Sequence, residues 1–321
     1  MQFILLILGF MLLIKGADMF VGGASSIARK FKVPAMIIGL TIVAMGTSAP
    51  EAAVSISSSL AGQNDMSIAN VVGSNLFNIL VVLGASAVLA NLPVEENTKK
   101  KDGPFLTFTT ILLMVMCLDG NLGRIDGIIL LSVFTNFLIS TVKTALQSVR
   151  GENNSMSDGD EVAVAVETAS ETEEVPMLKT IILSLIGAVG IVLGGDIVVD
   201  AASKIATSFG MSSNLVGLTI VAMGTSLPEF VTSMVAIKKG ETDIAIGNVI
   251  GSNVFNILLV LGLASTISPI AVSTVALIDI ACMSIITIVL HIFIKKGTVG
   301  KSKGIILLCT YLCYMGYTII R

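Results

Sequence analysis

Two glutamates stand in nearly identical settings far apart in a chain of 321 residues. Residues 39–51 read GLTIVAMGTSAPE and residues 217–229 read GLTIVAMGTSLPE, so Glu51 and Glu229 each close a long apolar stretch. A charged side chain at the centre of a bilayer costs roughly 2.5–3.5 kcal/mol on insertion scales. Neither motif holds a Lys or Arg, so protonation or a bound cation must meet the charge. Thr47, Ser48, Thr225 and Ser226 place hydroxyls beside the acids. Pro50 and Pro228 each remove a helical N–H. With Gly46 and Gly224 four residues earlier, they predict a helix break that frees carbonyls around Ala44 and Ala222. A second matched pair, NVVGSNLFNIL (70–80) and NVIGSNVFNIL (248–258), adds Ser74 and Asn78, with Ser252 and Asn256 as counterparts. Ser and Asn four apart share one helix face, and Gly73 and Gly251 allow close helix approach or local unwinding.

The pooled donors are carboxylates, hydroxyls, amide oxygens and backbone carbonyls. Calcium takes six to eight such hard oxygens in flexible geometry, and sodium uses the same donor types. Without thiolate or imidazole in the set, zinc and copper are disfavoured. Gly, Ser and Thr are equally the residues of packed membrane-helix interfaces. A lone GTS or GSN therefore reads as packing as readily as ligation, and Asn78 and Asn256 could simply join helices. Recurrence of the whole set around two intramembrane acids favours an ion site.

The elements that carry these residues are apolar helices. The chain is 54% hydrophobic and only 13% charged, with a mean hydropathy of +0.94. A soluble domain carries about a quarter of its residues as charges, so a soluble enzyme, a disordered chain and a secreted disulfide scaffold are excluded. Spans are expected near 2–22, 36–60, 68–91, 104–119, 125–143, 177–200, 212–237, 244–266, 272–294 and 303–320. They are too long and continuous for barrel strands. The first run lacks a basic leader and reads as a span rather than a cleaved signal. His291 is the only histidine, and the four cysteines (117, 282, 309, 313) lie in apolar stretches, which argues against His-rich metal sites, His-based triads and disulfide frameworks.

The matches share one offset: 217 − 39 and 248 − 70 are both 178. Gly16 and Asp18 correspond to Gly194 and Asp196 in the same register. The chain therefore divides into a first five-helix half (1–147), a linker (148–176) and a second five-helix half (177–321). An odd number of spans per half inverts the second half in the membrane, an architecture typical of secondary transporters. Residues 151–175 hold eight acidic residues and no Lys or Arg, and read as a solvated linker. Calcium gathering is the other reading of that segment. Arg29, Lys30, Lys32, Lys99–Lys101, Lys143, Arg150, Lys179, Lys238, Lys239, Lys295, Lys296, Lys301 and Lys303 all fall on one side of this arrangement. The positive-inside rule makes that side cytoplasmic, with both termini outside and the linker inside. The chain is thus expected to be a multi-pass protein of the cell (inner) membrane. Asp18 and Asp196 read as charges at a helix end or a cavity mouth, outside the core site, and Asp279 has no assignment.

At these motifs the sequence resembles the calcium/cation antiporter superfamily, and within it the prokaryotic sodium/calcium exchangers. GTSxPE and GSNxFN resemble that family's two alpha repeats, and the resemblance covers nearly the whole chain. It implies Glu51 and Glu229 as central calcium ligands, and Thr47, Ser48, Thr225 and Ser226 around the sodium and calcium sites. It also implies carbonyls from Ala44 and Ala222, with Ser74, Asn78, Ser252 and Asn256 completing the cluster. Many relatives carry Asp in place of one Asn. Both are Asn here, which argues against an extra protonatable carboxylate and against a potassium-dependent form. The resemblance further implies that spans one and six move together and that three sodium ions exchange for one calcium. The expectation is a sodium/calcium antiporter, not an enzyme, with calcium and sodium as cargo, the bilayer as surroundings, and no cofactor, nucleic acid or obligate protein partner. A calcium/proton antiporter on the same fold is the alternative. A cation channel would conduct without stoichiometric counter-flux, and an intramembrane hydrolase lacks both a G-x-S-x-G elbow and a suitable histidine.

Overall fold

A computed structural model of the protein describes residues 1–62, 64–155, 176–211 and 222–320. Its described residues are almost wholly helical. The first half contains α1 (Gln2–Phe31), α2 in two limbs (Ala35–Thr47 and Ala49–Leu60), α3 (Met66–Leu89), α4 (Gly103–Met116) and α5 (Arg124–Ser155). The second contains α6 (Met177–Ser208), α7 (Leu227–Lys238) preceded by the short turn Ala222–Gly224, α8 (Thr242–Ile267), α9 (Thr274–Lys295) and α10 (Lys301–Ile320). Among the described residues six helices are long and apolar enough to cross a bilayer unaided, and the two limbs of α2, taken together, make a seventh, bent candidate. The start of the expected seventh span (212–221) and most of the acidic linker (156–175) lie outside the described residues.

Helix ends depart from the apolar runs in an instructive way. The apolar part of α1 fades near residue 22, yet the helix runs to Phe31, and α5 continues to Ser155. Polar turns beyond the hydrocarbon satisfy their backbone internally and need no apolar residues, so hydropathy marks the membrane portion and not the whole helix. Lys32, in the left-handed region at φ 53°, ends α1 with its N–H bonded back to the last carbonyls.

Polarity is arranged inside out. Phe3, Ile4, Ile7, Leu8 and Met11 of α1 are exposed, as a lipid-facing surface requires. The centre is built by α3 and α8, and 94% of the apolar window of α8 is buried. Glycines set the closest crossings. A Cβ on Gly16 would lie 2.8 Å from the Gly187 carbonyl, where α1 meets α6, and one on Gly251 would lie 2.4 Å from the Leu40 carbonyl, where α8 meets α2. Small residues at such points let backbones touch.

Two short antiparallel bridges tie the halves together. Leu92–Pro93 (β1) pairs with Thr298–Val299 (β4), and Asn121–Leu122 (β2) pairs with Ile270–Ala271 (β3). Leu92 and Ile270 are 178 apart, so the bridges are counterparts under the repeat. One lies beside the lysine-rich loops and the other on the opposite face, as inverted halves require.

Candidate functional site

The GTSxPE motifs build two matching helix breaks. Ser48 (φ −84°, ψ 9°) and Ser226 (φ −92°, ψ 6°) leave the helical region at the same motif position. The limbs of α2 meet there at 48°. Pro50 and Pro228 fall in the first turn of the limb that follows, where a missing N–H costs nothing because that group has no intrahelical partner. Glu51 and Glu229 lie in those same first turns, where the unpaired N–H groups and the helix dipole favour negative charge.

A serine at the helix N-cap ordinarily bonds an N–H of its own first turn. Neither serine does so. Ser48 donates across the interface to Oε1 of Glu229 at 2.8 Å, and Ser226 donates to Oε1 of Glu51 at 3.1 Å. Each half's cap hydroxyl thus holds the other half's carboxylate. Ser74 of α3 also donates to Glu51, at a longer 3.4 Å.

Around the carboxylates the structure gathers most of the expected donors. Thr47, Ser48, Glu51, Ser74, Asn78, Ser226, Glu229, Ser252 and Asn256 all have no exposed surface. The Thr47 hydroxyl lies 3.1 Å from Oδ1 of Asn248 and 3.5 Å from the Ser252 hydroxyl, and also reaches the Val43 and Ala44 carbonyls. The Ala44 carbonyl already accepts the Ser48 N–H at 3.0 Å and lies 3.3 Å from the Thr47 hydroxyl, so a cation reaching it would compete with these contacts. Thr225 is half-buried, and its hydroxyl oxygen has no hydrogen-bond partner. Ala222 opens the short turn before the second break.

Asn78 and Asn256 each begin a π-helical segment, Asn78–Val82 and Asn256–Val260. A π segment widens the turn and is a recurrent feature of functional sites. The two amides do not behave alike. Asn256 donates to Oδ1 of Asn75 at 3.2 Å, and Asn75 donates to the Asn253 carbonyl at 3.2 Å. The counterpart pair is open: the amides of Asn78 and Asn253 are buried without partners.

Four further polar residues, outside the expected donor set, support the site. Asn70 donates to the Glu51 carbonyl (3.3 Å) and to Ser55 (3.0 Å), and Asn248 donates to the Glu229 carbonyl (3.4 Å) and to Ser233 (3.0 Å). These bonds pin each glutamate-bearing limb to α3 or α8. The signal was present, because Asn70 and Asn248 are the first residues of the second matched motif and Ser55 and Ser233 keep the offset of 178.

The electrostatics point to a cation. One oxygen of each carboxylate, Oε2 of Glu51 and of Glu229, is buried without a hydrogen-bond partner, as are Oδ1 of Asn78 and of Asn256. Buried charge without a partner is strongly disfavoured, and among the described residues no Lys, Arg or His bonds either glutamate. Nor is there, among the described residues, a group of three or more His, Cys, Asp or Glu suited to holding a metal. Two carboxylates set among neutral oxygens form a donor set of the kind that hard cations take.

The basic face carries a separate charge cluster. Asp18 of α1 pairs with Lys239 at 2.9 Å, and Arg29 pairs with Glu241 at 3.1 Å.

Comparison with known proteins agrees with this architecture. A family model described as sodium/calcium exchanger protein matches residues 1–143 and 179–320. The chain is 37% identical over 317 residues to the putative antiporter CaxA of Alkalimonas amylolytica, covering 97% of this chain and 96% of that one. It is 32% identical to the sodium/calcium exchanger MaX1 of Methanosarcina acetivorans, covering 98% and 97%. Solved structures of the sodium-calcium exchanger NCX_Mj superpose with a TM-score of 0.83 at 32% identity, covering 98% of each chain. The chain belongs to the sodium/calcium exchanger family of membrane cation transporters.

Proposed function

We propose that this chain is a sodium/calcium antiporter in which Glu51 and Glu229 bind calcium and the surrounding hydroxyl, amide and carbonyl oxygens share sodium and calcium. One observation carries the reading. Two buried carboxylates, each held by a serine of the opposite half, leave one oxygen apiece without a partner, and no basic side chain among the described residues answers them. One calcium neutralises the pair. Sodium ions spread over Thr47, Ser48, Ser74, Asn78, Thr225, Ser226, Ser252 and Asn256 and the Ala44 and Ala222 carbonyls provide the alternative load. A protein stable with either load, and costly to reorient empty, couples the two fluxes.

In this reading the halves 1–147 and 177–321 form the inverted repeats, and the segment between them lies with the basic face in the cytoplasm. The α1–α6 pair moves against the remaining helices to expose the site alternately. Exchange of three sodium ions for one calcium moves one net charge per cycle, worth about 2.3 kcal/mol per 100 mV. The deciding experiment is calcium flux in proteoliposomes driven by a sodium gradient at fixed pH, read beside flux driven by a pH gradient without sodium. Sodium-driven, voltage-sensitive calcium movement is expected. Flux that ignores sodium and follows pH would replace this reading with calcium/proton exchange.

A further inference from the structure

We propose that an ion-pair latch found, among the described residues, on the basic face alone, Asp18–Lys239 and Arg29–Glu241, holds that side of the transporter shut and biases it toward the state open on the opposite face. The proposal rests on the alternating-access reading above.

The latch joins α1 of one half to the turn after α7 of the other. Glu241 takes hydrogen bonds from Arg29 at 3.1 Å and from the Ser25 hydroxyl, and Arg29 also donates to Ser25 at 2.7 Å. Eleven residues earlier on α1, Asp18 pairs with Lys239 at 2.9 Å. The contacts therefore run along about 16 Å of helix. Gly22 lies between them, and a Cβ there would sit 3.5 Å from the Lys239 Nζ, in ordinary contact, so the lysine side chain lies over this stretch of α1. Beneath the latch Ala236 of α7 is completely buried, in one apolar cluster with Val21, Ala24 and Ala28 of α1.

The repeat allows a comparison within one molecule. Adding or subtracting 178 converts Asp18, Gly22, Ser25, Arg29, Lys239 and Glu241 into Asp196, Asp200, Ser203, Thr207, Ala61 and Gln63. Both cations and the accepting glutamate are gone. Asp200 instead pairs with Lys204 on its own helix at 2.5 Å, and the Ser203 hydroxyl has no partner. Ala236 itself becomes Ser58, and whereas α1 packs along α7, no comparable packing of α6 along the second limb of α2 occurs among the described residues, so the helix contact and the charged clasp both lie on the basic face. Contacts made in only one of two states shift the population toward that state by their differential free energy. Exposed ion pairs are individually weak, so losing both is expected to shift the ratio about fivefold.

The test reads the two faces separately, in a background whose native cysteines are replaced by alanine. Reporter thiols are introduced by Ala236→Cys beneath the latch and by its repeat counterpart Ser58→Cys on the opposite face. Modification by a maleimide is timed in detergent without sodium or calcium. Adding Asp18→Asn and Glu241→Gln should speed modification at position 236 about fivefold and slow it at position 58. The exchanged pair Arg29→Glu with Glu241→Arg, with Asp18 intact, should return both rates toward those of the parent. Unchanged rates at both positions would overturn the latch. Faster rates at both would also overturn it, because that is loosening and not a shift between states. Failure of the exchanged pair to restore the rates would show that the charges do not act as a pair. Sodium-driven calcium flux by the parent is measured alongside. Its absence would sink the antiporter reading, while the labelling comparison would still judge the latch.

Discussion

Replacing Glu51 by Gln tests the site most directly, because it moves calcium binding and empty-protein stability in opposite directions. The substitution keeps the shape and removes one of two charges. Removing one partner from a buried charge pair costs about 3–5 kcal/mol, and every 1.4 kcal/mol is a factor of ten. Calcium affinity should therefore fall by about two to four orders of magnitude. The empty protein behaves differently. In it, Glu51 is a buried carboxylate with no basic partner among the described residues, satisfied on one oxygen by Ser226 and Ser74 and unsatisfied on the other. A glutamine loses that penalty, and both serine hydroxyls can turn to meet its amide. The empty variant should be at least as stable as the parent. Thermal unfolding with and without calcium reads both quantities. At a hundred times its dissociation constant, calcium stabilises the parent by about 2.7 kcal/mol, and a hundredfold weaker variant at the same concentration gains about 0.4 kcal/mol. Glu229→Gln should match it, since Ser48 mirrors Ser226. Persistent calcium stabilisation in either variant would show that the carboxylates do not hold the ion. An empty variant that unfolds easily would show that they are structural.

Two further outcomes are expected. Asn248→Ala removes the side-chain partner of Ser233 and of the Glu229 carbonyl in a fully buried setting. At about 1–3 kcal/mol for each buried group left unsatisfied, it should lower the thermal midpoint more than Asn70→Ala, whose site is only partly buried; equal effects would contradict this account of the limb's attachment. Outside the membrane, burial pushes the carboxyl of Asp102 up to about 6, against the pull of Lys101. A carboxyl whose folded pKa is raised stabilises the fold below its unfolded value, and that contribution disappears as pH rises through the folded one. Stability should therefore decline between about pH 4 and 6, and Asp102→Asn should remove the decline, leaving a variant more stable than the parent at pH 7 and equal to it at pH 4. Parallel pH profiles of parent and variant would refute the assignment.

Much of this architecture is legible in the sequence because the repeat is written twice. The breaks at Ser48 and Ser226 follow from Gly and Pro in register, and the inverted halves follow from one offset with an odd number of spans. What the capping serines do is not legible. A serine before a proline-started helix predicts a local cap, and only the packing of one half on the other reveals that each hydroxyl is diverted to the opposite carboxylate. Asn70 and Asn248 were visible as repeated residues, yet their task depends on where the glutamate backbone passes, which spacing does not convey. Asp18 reads as a charge at a helix end, since its partner Lys239 is more than two hundred residues away. The unequal amides are illegible in principle. Asn75 and Asn253 have the same neighbours in sequence, but Asn75 is fully bonded to the other half while both amide atoms of Asn253 are unpaired.

That inequality bears on how two near-identical motifs serve one cycle. Were the halves held in identical conformations, the bond from Asn256 to Asn75 would have its twin from Asn78 to Asn253. Only one is made. The crossed serines, by contrast, are made in both directions, at 2.8 and 3.1 Å. The crossed serine bonds are therefore matched while the amide bonds are not, and the amide left open on Asn78 adds a buried, unpaired oxygen. In the proposed antiporter a cation bound between the glutamates would meet matched charges, so its binding alone would favour neither face. The choice of face would then fall to the parts that break the repeat, the amide layer inside and the charged clasp on α1. On that proposal the ion sets whether the halves can move, and the asymmetric contacts set where they rest.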